Sequence, residues 1–299
     1  MSRSAPDLRP PTSDLRPPTS AMTTRFAPSP TGQLHKGHAF SALTAFALAR
    51  ASGGRFLLRI EDIDPTRCTR ENAEQIFEDL AWLGLEWETP VRFQSEHRAD
   101  FTAAADRLSA RGLLYPCFCT RADIQREIDG AGHAPHGSEG PVYPGTCRRL
   151  SVEERSARLA TGTPHALRLD LEKALSLTGP SLAWTDTHHG EQPARPELLG
   201  DVVLVRKDIG TSYHLAVVVD DGLQGVTDIV RGVDLFDATH LHRVLQALLD
   251  LPVPLYHHHP LLTDPSGNRL AKRDRAVTLK SLRESGVSAQ ALREELGFS

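Results

Sequence analysis

The sequence predicts an α/β fold: a parallel-sheet domain interrupted by a smaller inserted α+β module. Three observations carry this. A strand around Arg25–Ala27, a Pro/Gly turn, a helix from about His38 to Ala51 and a strand over Arg55–Ile60 form a β-turn-α-β unit. Between Tyr115 and Gly200 the alternation gives way to clusters of Cys, Gly, Pro and His, with isolated strand-like patches such as His165–Leu171. The βα character then returns with Asp201–Arg206, Tyr213–Asp220 and a helix from about Ala238 to Leu249. Helices alternating with short apolar strands argue for a parallel sheet.

Taken in order, residues 1–21 read as a disordered Pro-rich tail. Asp7–Ser13 and Asp14–Ser20 are an identical tandem copy whose prolines break regular structure and whose few apolar groups cannot offset ordering entropy. Met22 follows directly, and translation beginning there is one expectation. The sheet domain is expected over 22–114 and 201–273, the inserted module over 115–200, and a short helical remnant over 274–299. Within the first half, an amphipathic segment covers Arg70–Leu83, closed by Gly84, and a further helix covers Phe101–Ser109, capped by Gly112.

Composition narrows the function classes. With 299 residues, 39% hydrophobic and 24% charged, the chain has the make-up of an ordinary soluble protein able to bury a sizeable core. The longest apolar runs, Val202–Val205 and Leu215–Val219, are of strand length, far short of the roughly 20 residues of a membrane span. No membrane association is expected. A polar N-terminus without an apolar h-region and only four cysteines suit a reducing, cytoplasmic setting. The formal net charge of −4 gives no global attraction to nucleic acid, so RNA contact would need a local basic surface.

The segment Phe26-Ala-Pro-Ser-Pro-Thr-Gly-Gln-Leu-His-Lys-Gly-His38 joins the first strand to the first helix. A helix N-terminus there offers unsatisfied N–H groups and a partial positive charge to phosphates. Gly37 permits close backbone approach, and His35 and His38, three apart, share one side of the first turn, where they can bond phosphates as the α-phosphorus becomes crowded. Pro-Ser-Pro-Thr-Gly followed by Leu-His-x-Gly-His resembles the signature of class I aminoacyl-tRNA synthetases in the form used by the glutamyl and glutaminyl branch. The resemblance implies a Rossmann-like catalytic domain that binds ATP with Mg2+. It runs from about Thr23 to Lys272.

That family carries a second signature, a loop with a lysine that neutralises the triphosphate. Asp264-Pro-Ser-Gly-Asn-Arg-Leu-Ala-Lys-Arg273 resembles it, with Arg269 and Ala271 departing from the usual pattern and Lys272 matching the lysine tied to catalysis. Arg25, Ala27 and Ser29 occupy positions that in glutamyl-tRNA synthetases hold the amino acid, and a guanidinium such as Arg25 suits its side-chain carboxylate by bidentate bonding. Glu61, at the end of the strand in Arg55-Phe-Leu-Leu-Arg-Ile-Glu-Asp-Ile-Asp64, is expected to take the α-ammonium of L-glutamate, at the carboxyl end of a strand where open α/β sheets bind ligands. The family's pattern implies that Tyr213 and Arg231 close the pocket.

In the inserted segment, Cys117-Phe-Cys119 and Tyr143-Pro-Gly-Thr-Cys147 offer three thiolates and an oxygen that suit one tetrahedral zinc. His133 or His136 stand as alternatives to Tyr143 for the fourth ligand. Two cysteines followed by Tyr-x-x-x-Cys resemble the zinc site of glutamyl-Q tRNA(Asp) synthetases, and Val217, standing where full-length relatives more often have Asn, agrees. That resemblance implies a monomer that adenylates glutamate without tRNA and transfers it to queuosine in the anticodon of tRNA(Asp). With only Arg273–Ser299 after the lysine loop, recognition by an anticodon domain of about 50 residues or more is not expected. Charging of a tRNA acceptor end, or a silent RNA-binding paralogue, are the competing readings. His257-His-His259 is expected to be plain strand, because three adjacent histidines cannot easily face one metal.

Overall fold

A computed structural model describes residues 21–130, 136–137, 140–179, 181–262 and 277–298. The Pro-rich repeat and Lys272 lie outside these. In chain order the elements are β1 Thr23–Phe26, α1 Lys36–Ala51, β2 Arg55–Ile60, α2 Arg70–Trp82, β3 Glu88–Phe93, α3 Arg98–Ala110 and β4 Leu114–Cys117. There follow α4 Arg121–Gly130, β5 His136–Gly137, β6 Gly140–Pro141, α5 Val152–Ala160, β7 Ala166–Leu169, α6 Leu171–Thr178, β8 Ala183–Asp186 and β9 Gly190–Pro193. The chain closes with β10 Val203–Val205, α7 Tyr213–Leu223, β11 Asp228–Gly232, α8 Ala238–Leu248, β12 Leu255–His259, α9 Leu279–Glu284 and α10 Ala289–Glu295.

The expected parallel sheet is present in two parts. One has the order β1-β2-β3, all parallel, and the other β11-β12-β8-β9, where β11, β12 and β8 are parallel and β9 turns back. The parts meet edge to edge where the Thr227 N–H donates to the Thr23 carbonyl at 3.0 Å. A third sheet, β10-β7-β4, is antiparallel. Strand membership therefore crosses residue 200 in both directions: the β8–β9 hairpin lies in the parallel sheet, and Val203–Val205 pairs with β7. Hydrophobicity alone cannot show this, because an apolar strand reads the same in either sheet.

Helix boundaries follow from caps. Helix α1 begins at Lys36 rather than His38 because His35 supplies the cap. The run Leu215–Val219, of strand length in the sequence, is helical. The Ser212 side chain accepts the Leu215 N–H as N-cap, and the whole run is buried against α3 and α8, so tertiary packing overrides the β preference of three valines. Among the described residues no helix is long and apolar enough to cross a membrane.

Two cores flank the sheet. One packs α1 and α2 over β1 and β2 and also takes in Leu279, Leu292, Leu296 and Phe298, so the C-terminal helices complete it. The other joins α3, α7 and α8 to β4, β7 and β10. A buried carboxylate ties α2 to α9: Asp79, 0% exposed, accepts from Gln75 at 3.2 Å and lies 3.7 Å from Arg283. Its Oδ2 has no hydrogen-bond partner among the described residues.

Burial pushes the Asp79 carboxyl up to about 6, with Arg283 opposing it. A carboxyl whose pKa rises on folding contributes stability below its unfolded value, near 4, and loses it as pH rises through the folded one. Asp79→Asn keeps the Gln75 bond and has no proton to lose. Thermal melts of the two proteins are expected to agree near pH 4 and to diverge in the variant's favour towards pH 7; a difference that does not change with pH contradicts the assignment.

Candidate active site

The turn from β1 into α1 is built by reciprocal capping. His35 Nδ1 accepts the Gly37 N–H at 3.1 Å, and His38 Nδ1 accepts the His35 N–H at 3.1 Å, with the rings 3.8 Å apart. Because both Nδ1 atoms accept, each neutral ring carries its proton on Nε2. A Cβ at Gly37 would stand 2.9 Å from His35 Cε1, so a side chain there would displace the ring. No acidic residue occupies the first turn of α1, which leaves its positive end uncompensated from within the helix.

Beside this turn lies a cavity of about 410 Å3 at the carboxyl ends of β1, β2 and β11. Arg25, Ala27, Ser29, His38, Glu61, Tyr213 and Arg231 line it, as do Ser41 and Val217. His35 and Gly37 belong to the adjoining turn and do not line it. The Glu61 N–H donates to the Pro28 carbonyl at 3.0 Å, tying the end of β2 to the Pro-Ser-Pro-Thr-Gly loop.

The floor of the cavity is charged and buried. Asp221 accepts from Arg25 through Nε at 3.0 Å and Nη2 at 3.3 Å, and from Arg59 Nη1 at 2.8 Å. Arg59, 0% exposed, also reaches Glu61 at 3.1 Å, while Arg25 Nη1 donates to the Val230 carbonyl at 3.2 Å. Burial pushes the Asp221 carboxyl up, but Arg25 and Arg59 outweigh it and hold it below the ordinary carboxylate value. At Glu61 burial prevails over Arg59 and Arg25 and the pKa is raised. Burial pushes the Tyr213 phenol up to about 12.

The two arginines lining the cavity are held differently. The bidentate edge of Arg25 is already taken by Asp221. Arg231 bonds His258, Thr239 and His242, all uncharged partners, and has no carboxylate partner among the described residues. Sequence spacing does not single out Arg59, Asp221 or His258 as site residues: Arg59 meets Asp221 across 162 residues and His258 meets Asp186 across 72. The three adjacent histidines go to separate partners: His257 to Asp228 at 3.0 Å, His258 to Asp186 at 2.7 Å and His259 to Ser41 at 2.6 Å.

At the end of β4, the ligand atoms of Cys117, Cys119 and Cys147 lie within 4.8 Å of one another. The Tyr143 hydroxyl is 3.4 Å from the sulfurs of Cys117 and Cys119 and accepts the Cys147 N–H at 2.9 Å. Zinc–thiolate bonds of about 2.3 Å in a tetrahedron hold sulfurs about 3.8 Å apart, so this donor set fits such an ion with small adjustments. His133 and the side chain of His136 fall outside the described residues.

Comparison with known proteins places the chain. The family described as tRNA synthetases class I (E and Q), catalytic domain, matches residues 21–298. A glutamyl-Q tRNA(Asp) synthetase from Rhodobacter capsulatus is 49% identical over 93% of this chain and 100% of its own length. One from Symbiobacterium thermophilum is 46% identical over 92% of this chain and 85% of its own length. Among solved structures, a glutamate tRNA ligase from Elizabethkingia meningosepticum, in complex with its amino acid, superposes with a TM-score of 0.70 at 28% identity. That match covers 85% of this chain, which spans about half of the ligase, 52% of its length.

The buried cluster makes a stability prediction. Asp221→Ala leaves two buried guanidiniums without their shared partner and is expected to cost about 3–5 kcal/mol in urea unfolding. A loss under about 1 kcal/mol would mean that water or a rearranged carboxylate compensates them.

Proposed function

The chain belongs to the class I tRNA synthetase family of the glutamyl and glutaminyl type, and we propose that it activates L-glutamate with ATP and transfers it to queuosine in the anticodon of tRNA(Asp). It is proposed to act as a cytoplasmic monomer. The observation that supports activation is the cavity itself: a carboxylate, Glu61, and an arginine with no carboxylate partner among the described residues, Arg231, share one small space beside a helix N-terminus. The relatives matched over most or all of their length, named glutamyl-Q tRNA(Asp) synthetases, support the acceptor.

In this reading Glu61 receives the α-ammonium group. Arg231 receives the side-chain carboxylate, since the bidentate edge of Arg25 is occupied by Asp221, and Arg25, its charge paired within the protein, contributes a fixed place at the cavity wall. Ala27, Ser29 and Tyr213 shape the remaining wall. The glutamate α-carboxylate attacks the α-phosphorus of ATP and pyrophosphate leaves. Charge on the phosphates is shared by the N-terminus of α1, by His35 and His38 with Gly37 allowing their approach, and by Lys272. Mg2+ accompanies ATP as in the family and supplies further neutralisation. The adenylate then gives its acyl group to a hydroxyl of the queuosine cyclopentenediol, releasing AMP.

The resemblance to a glutamate tRNA ligase keeps one rival reading, esterification of a tRNA acceptor end. Labelled glutamate, incubated with ATP and tRNA(Asp) with and without queuosine and followed by nuclease cleavage, separates the two. The label is expected in the queuosine-containing anticodon fragment alone. Label at the acceptor end identifies a minimal glutamyl-tRNA synthetase, and no label at all identifies a silent paralogue.

Cys117, Cys119, Tyr143 and Cys147 are proposed as the ligands of one structural zinc. The purified protein is expected to carry about one zinc per chain by atomic absorption, and Cys119→Ser to lose it with a lower melting temperature. Retention of full zinc content by the variant would place the ion elsewhere.

A further inference from the structure

Among the described residues, Arg231 is held in place without a carboxylate of its own. Its Nε–H donates to His258 Nε2 at 3.0 Å, and the other nitrogen of that ring, Nδ1, lies 2.7 Å from Asp186 Oδ2. Asp186 is 0% exposed and His258 1%. The Asp186 carboxylate cannot turn, because it also accepts the backbone N–H groups of His258 at 3.1 Å, His188 at 2.9 Å and His189 at 3.0 Å, and the His189 ring at 2.8 Å. Phe236 and Trp184 pack against the His258 ring, with centroids 5.0 and 5.8 Å away, and exclude water from it.

Protonation follows from these contacts. Burial works against the Asp186 charge, but the bonds from His258 and His189 hold its pKa below the ordinary carboxylate range. Burial pushes His258 down to about 4 although Asp186 pulls the other way, so the ring is neutral at physiological pH. An ionised carboxylate on one side places the single ring proton on Nδ1. Nε2 is then left with a lone pair, which is what the Arg231 Nε–H requires.

We propose that Asp186 and His258 are positioning residues for recognition of the substrate's side-chain carboxylate: Asp186 fixes His258 as an acceptor, and His258 pins the plane of Arg231 while leaving its charge undiminished. This rests on the reading of Arg231 as the group that binds that carboxylate. Each member stands on a neighbouring strand, Asp186 on β8, His258 on β12 and Arg231 on β11, so the parallel pairing of these strands brings the relay together. A carboxylate placed directly on Arg231, as Asp221 is on Arg25, would orient the guanidinium but spend its charge within the protein.

The test is glutamate-dependent ATP–pyrophosphate exchange with Asp186→Asn, His258→Phe, His258→Gln and His258→Asn, and with Arg231→Ala as control. In Asp186→Asn the amide donates to Nδ1, the ring proton moves to Nε2, and two donors meet at Arg231. KM for glutamate is expected to rise about tenfold in Asp186→Asn and His258→Phe, the scale of one misaligned charge-assisted hydrogen bond. KM for ATP should hold and kcat should change less than KM. His258→Gln can present an oxygen to Nε–H and is expected to recover most of the glutamate affinity. His258→Asn can satisfy only Asp186 and is expected to recover none; equal recovery by the two would show a role in packing alone and overturn the proposal. If Arg231→Ala raises the glutamate KM but Asp186→Asn and His258→Phe do not, the positioning role fails by itself. If Arg231→Ala leaves that KM unchanged, the underlying reading of Arg231 fails. Should Asp186→Asn not fold, the Gln and Asn variants at 258 decide the matter.

Discussion

Asp221 is shared by two arginines from different strands, Arg25 on β1 and Arg59 on β2, and this buried cluster sets the geometry of everything around the cavity. Three charges taken out of water would be costly if any lacked a partner. The cluster therefore constrains three elements at once, because β1, β2 and α7 must keep their spacing for all three groups to stay satisfied. Glu61 inherits its place from it, being held at 3.1 Å by the same Arg59. The next carboxylate along α7, Asp220, extends the network to Arg92 at 2.7 Å and Gln94 at 2.8 Å.

The two kinds of support given to the arginines divide the work of the site. Arg25 is neutralised within the protein, so it contributes shape and a fixed donor array. Arg231 is oriented by imidazoles and a hydroxyl, so its positive charge stays available to an anion entering the cavity. A guanidinium that must meet a carboxylate in a small cavity gains from the second arrangement, since a competing protein carboxylate would have to be displaced or desolvated first.

Local spacing made part of this legible. His35, Gly37 and His38 act within one helical turn, so their reciprocal capping follows from the sequence that carries them, and Glu61 follows from its place at a strand end. The Cys-x-Cys pair and Cys147 could be grouped from their types, whereas the place of the Tyr143 hydroxyl, 3.4 Å from the sulfurs of Cys117 and Cys119, needs the fold. Asp221, Arg59, Asp186 and His258 had no such signal. Asp186 meets His258 across 72 residues and Arg25 meets Asp221 across 196, and neither pair has a periodicity or motif that local reading detects. His258 was further disguised by its neighbours: strand alternation turns it to the face opposite His257 and His259, and nothing in a run of identical residues says which of them that is. The helical state of Leu215–Val219 was hidden for a related reason, its valines favouring a strand until a cap and two packing helices outweigh that preference.

The C-terminal helices bear on the same site. Leu279 N–H donates to the Leu34 carbonyl at 2.8 Å and Thr278 bridges His35, so the chain beyond residue 277 clasps the loop immediately before the first helix turn. Lys36 pairs with Glu295 on α10, and Phe298 packs edge-on to Phe40 at 5.7 Å. A helix N-terminus that is to present fixed donors to phosphates must not fray, and the four terminal N–H groups of a helix are its least constrained part. Here the constraint comes from outside the helix as well as from the His35–His38 caps. Leu279, Leu292 and Leu296, three side chains at most 3% exposed, share one core with Leu34 and Phe40, which flank those histidines in the chain. The helical remnant expected at the C-terminus thus supports the turn proposed to face the phosphates.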